Sequence, residues 1–234
     1  MGNNGILSLE TKQHLACEAF SHTASYDTVI SQYLNQQFQG DDGSFLPIQQ
    51  LHLEKKDQLR YGENPHQSAA FYKVSQASGL SNLIQHHGKS LSYNNIVDLE
   101  AAVLIVNELE LPSVAIIKHS NPCGVAMADT IYQAYCQAYS SDPVSAFGSI
   151  IGLNRRVDGD TASEIMKTFV EVVVAPGFDS EALTILQAKP LIRLIELPSF
   201  SQQDTGYQIP QITLGDTFNE WRTITNDSIV DKLN

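Results

Sequence analysis

The chain has 234 residues, 42% of them hydrophobic and 17% charged, an ordinary globular mixture with room for one good core and an appendage, or at most two small domains. Its net charge of −12, from 26 acids against 14 bases, lacks the basic footprint that duplex nucleic acid requires. No apolar run approaches the roughly 18 residues of a membrane span, and the opening MGNNGILSLETKQHL does not read as a secretion signal.

Residues 8–38 predict two helices. Leu15, Ala19 and Phe20, then Tyr26, Val29, Ile30, Tyr33 and Leu34, recur at helical spacing. Ser8 with Thr11 is a start signal, and Ser25 or Asp27 can cap the second helix. The polar, Gly-rich stretch 39–44 marks a domain boundary. From about residue 59 short apolar runs alternate with amphipathic segments. Strands are predicted at 69–72, 83–87, 113–118, 149–153, 171–175 and 192–197. Helices are predicted at 95–110, 128–140, 159–169 and 179–188. The first of these places Ile96, Leu99, Val103, Val106 and Leu109 on one face, behind Asn94 or Asn95 as cap. This alternation predicts an α/β layered sheet with crossover connections. Ligands of such sheets gather at strand ends, where loops and helix N-termini meet. The tail, 198–234, is polar and Gln-rich and yields no prediction.

Four segments carry candidate chemistry, each with a plainer reading beside it. In LRYGENPHQ (59–67) Arg60 can grip a phosphate or carboxylate and Tyr61 can stack on a base; Gly62 and Asn64-Pro65 fit a surface turn equally well. LSYNN (91–95) offers free amide donors at a helix start, or simple capping. IIKHSNPCG (116–124) runs an apolar strand into adjacent Lys118 and His119, with a turn expected at Asn121-Pro122 and Gly124. A charged lysine beside an imidazole at a strand end is poorly explained by core packing. Lys118 can hold an anionic oxygen and favour the neutral form of His119, leaving it available as a general base. The plainer reading is an exposed Lys-His pair at a loop edge. In SSDPVSAFG (140–148), Ser145 and the Gly148 backbone can line a pocket, and Phe147 is either a stacking platform or core.

No metal site is expected. Pro122-Cys123 is half of a zinc-deaminase signature, but position 126 is alanine and no HxE occurs. His86 and His87 are adjacent on a strand and cannot share one ion. Cys17, Cys123 and Cys136 form no CxxC motif, which predicts reduced thiols in a cytoplasmic protein. There is no P-loop, Rossmann fingerprint or GxSxG.

The segments LRYGENPHQ, GKSLSYNN, IIKHSNPCGVA, DPVSAFGSIIGLNR and FVEVVVAPGFDSEAL, in this order, resemble the bifunctional purine-biosynthesis family that joins AICAR transformylase to IMP cyclohydrolase. The resemblance covers residues 8–197. It implies that residues 1–38 are the closing helices of a cyclohydrolase domain and that 39–58 is a linker. Residues 59–197 would then be the first of two cytidine-deaminase-like halves of a metal-free transformylase domain. The implied reaction moves a formyl group from 10-formyltetrahydrofolate to the 5-amino group of AICAR, and the full-length protein also cyclises the product to IMP. By the same resemblance His119 is the proton acceptor and Lys118 its electrostatic partner. Arg60 and Tyr61 grip the nucleotide across a homodimer interface, and Asn94, Phe147 and Gly148 line the pocket. Two positions depart from the family pattern: Ser149 replaces a second glycine, and Lys189-Pro190 replaces a lysine-rich stretch. The family's cyclohydrolase body and second transformylase half would lie outside these 234 residues. The alternative expectation is therefore a nucleotide-binding or assembly fragment without turnover.

Overall fold

The computed structural model describes residues 7–38, 52–74 and 79–198, with three short strand segments at 211–212, 223–225 and 228–229. The chain divides into two compact units, Met1–Glu54 and Lys55–Asn234.

The first unit contains α1 (Leu9–Phe38), one unbroken helix of 30 residues where the sequence suggested two. Ser8 does start it: its hydroxyl accepts the Thr11 amide at 3.1 Å. Ser25 and Asp27, expected as caps, sit mid-helix. Two threonine hydroxyls along it bond back to carbonyls about one turn earlier. Thr23 donates to the Phe20 carbonyl at 3.2 Å and Thr28 to that of Ala24 at 2.8 Å. The predicted apolar residues, Phe20 and Tyr33 among them, are exposed. The boundary expected at 39–44 lies outside the described residues.

A two-stranded ribbon comes next, β1 (Leu53–Gln58) and β2 (Ala70–Val74). β1 reads LEKKDQ, too polar to announce a strand, and it falls where the sequence suggested linker.

The main sheet of the second unit then builds up from β3 (Ile84–His87), α2 (Tyr93–Asn107), β4 (Ser113–Lys118), β5 (Asn121–Met127), α3 (Ile131–Ser141), β6 (Ser149–Leu153), α4 (Gly159–Ile165), β7 (Val170–Ala175), α5 (Ser180–Leu186) and β8 (Arg193–Glu196). The spatial order is β3-β8-β7-β6-β4-β5. β6, β7 and β8 are parallel, joined through α4 and α5, while β4 runs antiparallel to both β5 and β6 and β3 antiparallel to β8. The result is a mixed α/β sheet.

Alternate residues of its strands feed two cores. Ala115, Ile117, Ile150, Val172, Val174 and Ile195 are buried with Leu99, Ala102, Val103 and Val106 of α2. Val114, Ile116, Ile151, Leu153, Val173 and Leu194 are buried with residues of α3, α4 and α5. Burial on both faces explains why the central strands read as continuous apolar runs. Gly152 lets α2 approach β6: a Cβ there would lie 2.9 Å from that of Ala102.

Helix boundaries follow the caps. α2 begins two residues earlier than predicted because Ser92, not Asn94 or Asn95, is its N-cap. The Ser92 hydroxyl accepts the Asn95 amide and the Asn95 side chain accepts the Ser92 amide, a reciprocal capping box. Thr130 and Asp158 cap α3 and α4 through their side chains. α4 stops short of its predicted end, at Ile165, and Lys189 binds carbonyls just past it. Its amine donates to Met166 O at 2.6 Å and Thr168 O at 2.5 Å. That is the local role of a lysine singled out as a departure from the family pattern. The other departure, Ser149, is buried, and its hydroxyl finds no hydrogen-bond partner among the described residues.

β5 was not predicted. Pro122 and Gly124 looked like turn residues, but β5 is an edge strand, where a missing amide is tolerated. In the tail, Gln211–Ile212 (β9), Thr223–Thr225 (β10) and Ser228–Ile229 (β11) pair antiparallel.

Candidate functional site

The strand directions bring several ends to one edge of the sheet. Ile117 pairs with Ile150 and Lys118 closes β4, so the C-terminus of β4 meets the N-terminus of β6. Parallel pairing then lines up the starts of β7 and β8, at Val170 and Arg193. β3 runs against β8, with His87 opposite Leu194, and so delivers the N-terminus of α2 to the same edge. Arg60, Tyr61, Asn94, Lys118, His119, Phe147 and Gly148 lie here, in two groups, whereas Ser145 is bonded to Asp142.

The first group is built on loop–loop hydrogen bonds. The Arg60 amide donates to Leu91 O at 3.0 Å, the Tyr93 amide to Tyr61 O at 3.3 Å, and the Asn94 side chain to Glu63 O at 3.4 Å. LRYGENPHQ is thereby laid along the N-terminus of α2. The Arg60 guanidinium sits over the Tyr61 ring, 5.3 Å from its centroid, a contact worth about 0.5–1 kcal/mol at an exposed position. Arg60 and Asn94 are exposed and Tyr61 is half-buried.

The second group surrounds the β4–β5 hairpin. Lys118 is half-buried, and its amine donates to Phe147 O at 3.0 Å and Gly148 O at 2.9 Å. Two of its three donors are used, leaving one for a substrate oxygen. Phe147 is 61% exposed, its ring 5.3 Å from that of Phe169. His119 is exposed, and its imidazole makes no hydrogen bond among the described residues.

The turn itself differs from the sequence reading. Lys118 pairs with Asn121, so His119 and Ser120 are the two central residues, with φ of +51° and +62°. Two positive φ values in a two-residue hairpin are the type I′ pattern, usually built with Asn-Gly. A side chain in this region costs about 1–2 kcal/mol per residue, and local bonds oppose that cost. Asp98 of α2 accepts the Ser120 amide at 2.7 Å and its hydroxyl at 3.3 Å. The Asn121 side chain donates to His119 O at 2.9 Å.

α2 links the groups, since Asn94 faces the first loop and Asp98 the hairpin. Beneath lies a polar network that the sequence reading missed. Arg193, 6% exposed, donates through Nε to Lys89 O at 3.1 Å and Ser90 O at 3.4 Å. Its Nη1 lies 3.8 Å from Glu171, which also accepts from the Asn95 side chain at 3.1 Å. Burial lowers the Arg193 pKa and Glu171 opposes the shift, while Arg60 adds to it. The available signal was an arginine inside the apolar run IRLIEL, a charge that needs partners when buried.

Two hollows lie near the first group. One of about 300 Å³ is lined by Gln85, His86, His87, Gly88 and Ser90. The other, about 110 Å³, is lined by residues that include Leu59, Phe71, Ser90 and Leu91. Neither hollow is lined by Arg60, Tyr61, Asn94, Lys118, His119, Phe147 or Gly148. Among the described residues no three His, Cys, Asp or Glu side chains gather as a metal would require. His86 Nε2 lies 2.8 Å from Glu196, whereas His87 Nε2 meets Lys189 O at 3.2 Å. Burial raises the Cys123 pKa, and its thiol donates to Ile116 O at 3.4 Å. Among the described residues no helix is long and apolar enough to cross a membrane.

Comparison with known proteins gives a consistent result. The family model described as AICARFT/IMPCHase bienzyme matches residues 1–228. A bifunctional purine biosynthesis protein PurH of Caldicellulosiruptor saccharolyticus is 44% identical over 216 residues, 91% of this chain and 42% of that protein. The protein of the same name from Acetivibrio thermocellus is 50% identical over 209 residues, covering 88% and 39% respectively. One from Bacillus cereus strain AH187 is 43% identical over 226 residues, covering 96% and 44%. The chain therefore spans about two fifths of the length of the curated relatives it matches.

Proposed function

Because this chain belongs to the AICARFT/IMPCHase bienzyme family, we propose that its sheet edge forms part of the site where AICAR is formylated by 10-formyltetrahydrofolate. The protein of which it is part would then cyclise the product to IMP. The observation that carries the reading is the joining of Lys118 and His119 at the end of β4 to the Arg60–Tyr61 loop through a single helix, α2.

The amine of AICAR is a weak nucleophile, its lone pair delocalised into an imidazole that bears a carboxamide. As it attacks the formyl carbon it must lose a proton while negative charge grows on the formyl oxygen. His119 takes that proton, since its ring is exposed and has no competing partner among the described residues. Lys118 turns its remaining N–H toward the growing charge, held in place by two carbonyls. The new C–N bond forms as the bond between the formyl carbon and the folate N10 breaks, and N10 receives a proton in exchange. Arg60 and Tyr61 would separate from each other to hold phosphate and base, donated to the neighbouring subunit of a homodimer. Asn94, Phe147 and Gly148 would border the nucleotide.

In this reading the layered sheet is a cytidine-deaminase-like half of the transformylase domain, spanning 59–197. Residues 1–38 close the cyclohydrolase domain, 39–58 link the two, and the protein is cytoplasmic.

A second reading, nucleotide binding without turnover, is favoured by the exposure of Arg60, His119 and Phe147. Formyl-transfer kinetics run beside an AICAR titration, on a full-length protein of the family carrying this segment, separate the two. Binding with transfer supports the first; saturable binding with no transfer supports the second; absence of binding defeats both.

A further inference from the structure

The geometry points to Asp98 as a positioning residue that holds the His119–Ser120 turn in its strained form and so aims the imidazole. This rests on the reading of His119 as proton acceptor. Three observations carry it. Two consecutive residues with side chains occupy positive φ, at +51° and +62°, where glycine or asparagine is the usual choice. The Asp98 carboxylate takes both donors that Ser120 presents, the amide at 2.7 Å and the hydroxyl at 3.3 Å, and charge-assisted bonds of this kind are the stronger sort. Asp98 also reaches the turn from a rigid body: α2 is buried through Leu99, Ala102, Val103 and Val106, so its carboxylate is a fixed post.

The other supports act elsewhere. Asn121 holds the carbonyl of His119, and Lys118 is tied to the Phe147–Gly148 backbone. Removing Asp98 frees the Ser120 amide and leaves those bonds untouched. A positioning role differs from a general contribution to stability in one respect: it can be replaced by a residue that prefers the same backbone. Glycine at 120 adopts the observed φ without a Cβ penalty. Ser120→Gly therefore restores the turn in a chain lacking the carboxylate.

The test uses the 234-residue chain, isotope-labelled, as wild type, Asp98→Ala, Asp98→Asn and the double variant Asp98→Ala with Ser120→Gly. Amide exchange at Ser120 is read against Ile116 of β4, which reports the core. Asp98→Ala accelerates Ser120 roughly tenfold or more relative to Ile116, and Asp98→Asn, which keeps an acceptor, accelerates it less. If Asp98→Ala does not fold, the asparagine variant alone decides. Equal acceleration at both amides, or none at Ser120, overturns the clamp. The second readout is the shift of the His119 ring signals on adding AICAR. That response is lost in Asp98→Ala and recovered in the double variant, whereas a role confined to stability leaves it unrecovered and sinks the proposal. A wild-type chain whose His119 and Arg60 signals both ignore AICAR defeats the functional reading, and the exchange data then judge the clamp separately.

Discussion

The amine of Lys118 lies 2.9 Å from the carbonyl oxygen of Gly148, and a Cβ added to Gly148 would come within 3.1 Å of that same nitrogen. A side chain at 148 would therefore require the lysine amine to give by a few tenths of an ångström. Gly148 also has φ of +69°, a conformation costly to other residues. Gly148→Ala should destabilise the fold by about 1–2 kcal/mol and displace the amine as well. Urea unfolding measures the first effect, and weaker binding of AICAR the second. A variant with wild-type stability would show that this loop relaxes freely.

For His119 the expectation concerns rate rather than affinity. A single well-placed proton transfer contributes roughly 10²–10⁴-fold. His119→Ala in a full-length protein of the family carrying this segment should lose that much in kcat while AICAR still binds. Loss of binding with unchanged turnover of bound substrate would assign the imidazole to recognition instead.

Acid should loosen the segment between α3 and β6. Asp142 accepts the Ser145 hydroxyl at 2.5 Å and its amide at 2.9 Å, and these bonds hold its carboxyl below the usual carboxylate range. A depressed folded-state value stabilises the fold fully above the ordinary range, and the contribution vanishes as pH falls through the lowered value. Following the Asp142 carboxyl by NMR should show titration below a normal aspartate. Ser145→Ala, which removes the hydroxyl bond, should move it upward; no movement would mean the hydroxyl is not the cause.

Gly152 supplies a test of the scaffold. Its missing side chain lets α2 settle on β6, and alanine would press into Ala102 at 2.9 Å. Gly152→Ala should cost about 1–3 kcal/mol as overpacking, readable in thermal unfolding. Since α2 carries Asn94 and Asp98, the same change should disturb both groups of candidate residues. An unaltered melting temperature would show that α2 is less tightly seated than the buried contacts imply.

The sheet was legible because its strands are buried on both faces. SVAIIK, SIIGL and EVVVA announce themselves through apolar β-branched residues, and the helices between them through period and caps. The edge strand β3 and the ribbon strand β2 were also foreseen, at 83–87 and 69–72, but β1 and β5 were not. LEKKDQ has no apolar face, and NPCGVAM carries a proline and a glycine that usually end strands. The two expected N-terminal helices are one, because Ser25 and Asp27 at mid-helix look like caps when tertiary context is absent. Among the candidate residues, Lys118 and His119 stood out as polar neighbours at the end of an apolar run. The backbone form of their turn did not, for positive φ without glycine leaves no trace in composition. Arg193 and Asp98 act through distant partners, Lys89 and Ser90 for one and Ser120 for the other. No local spacing encodes such pairs.

Asn94 and Asp98 are four positions apart, about one helical turn, so two loops far apart in the chain hang from adjacent rungs of one stiff rod. The separation of the Glu63 carbonyl from the Ser120 amide is therefore set by the pitch of a helix, because each is bonded to its own side chain on α2.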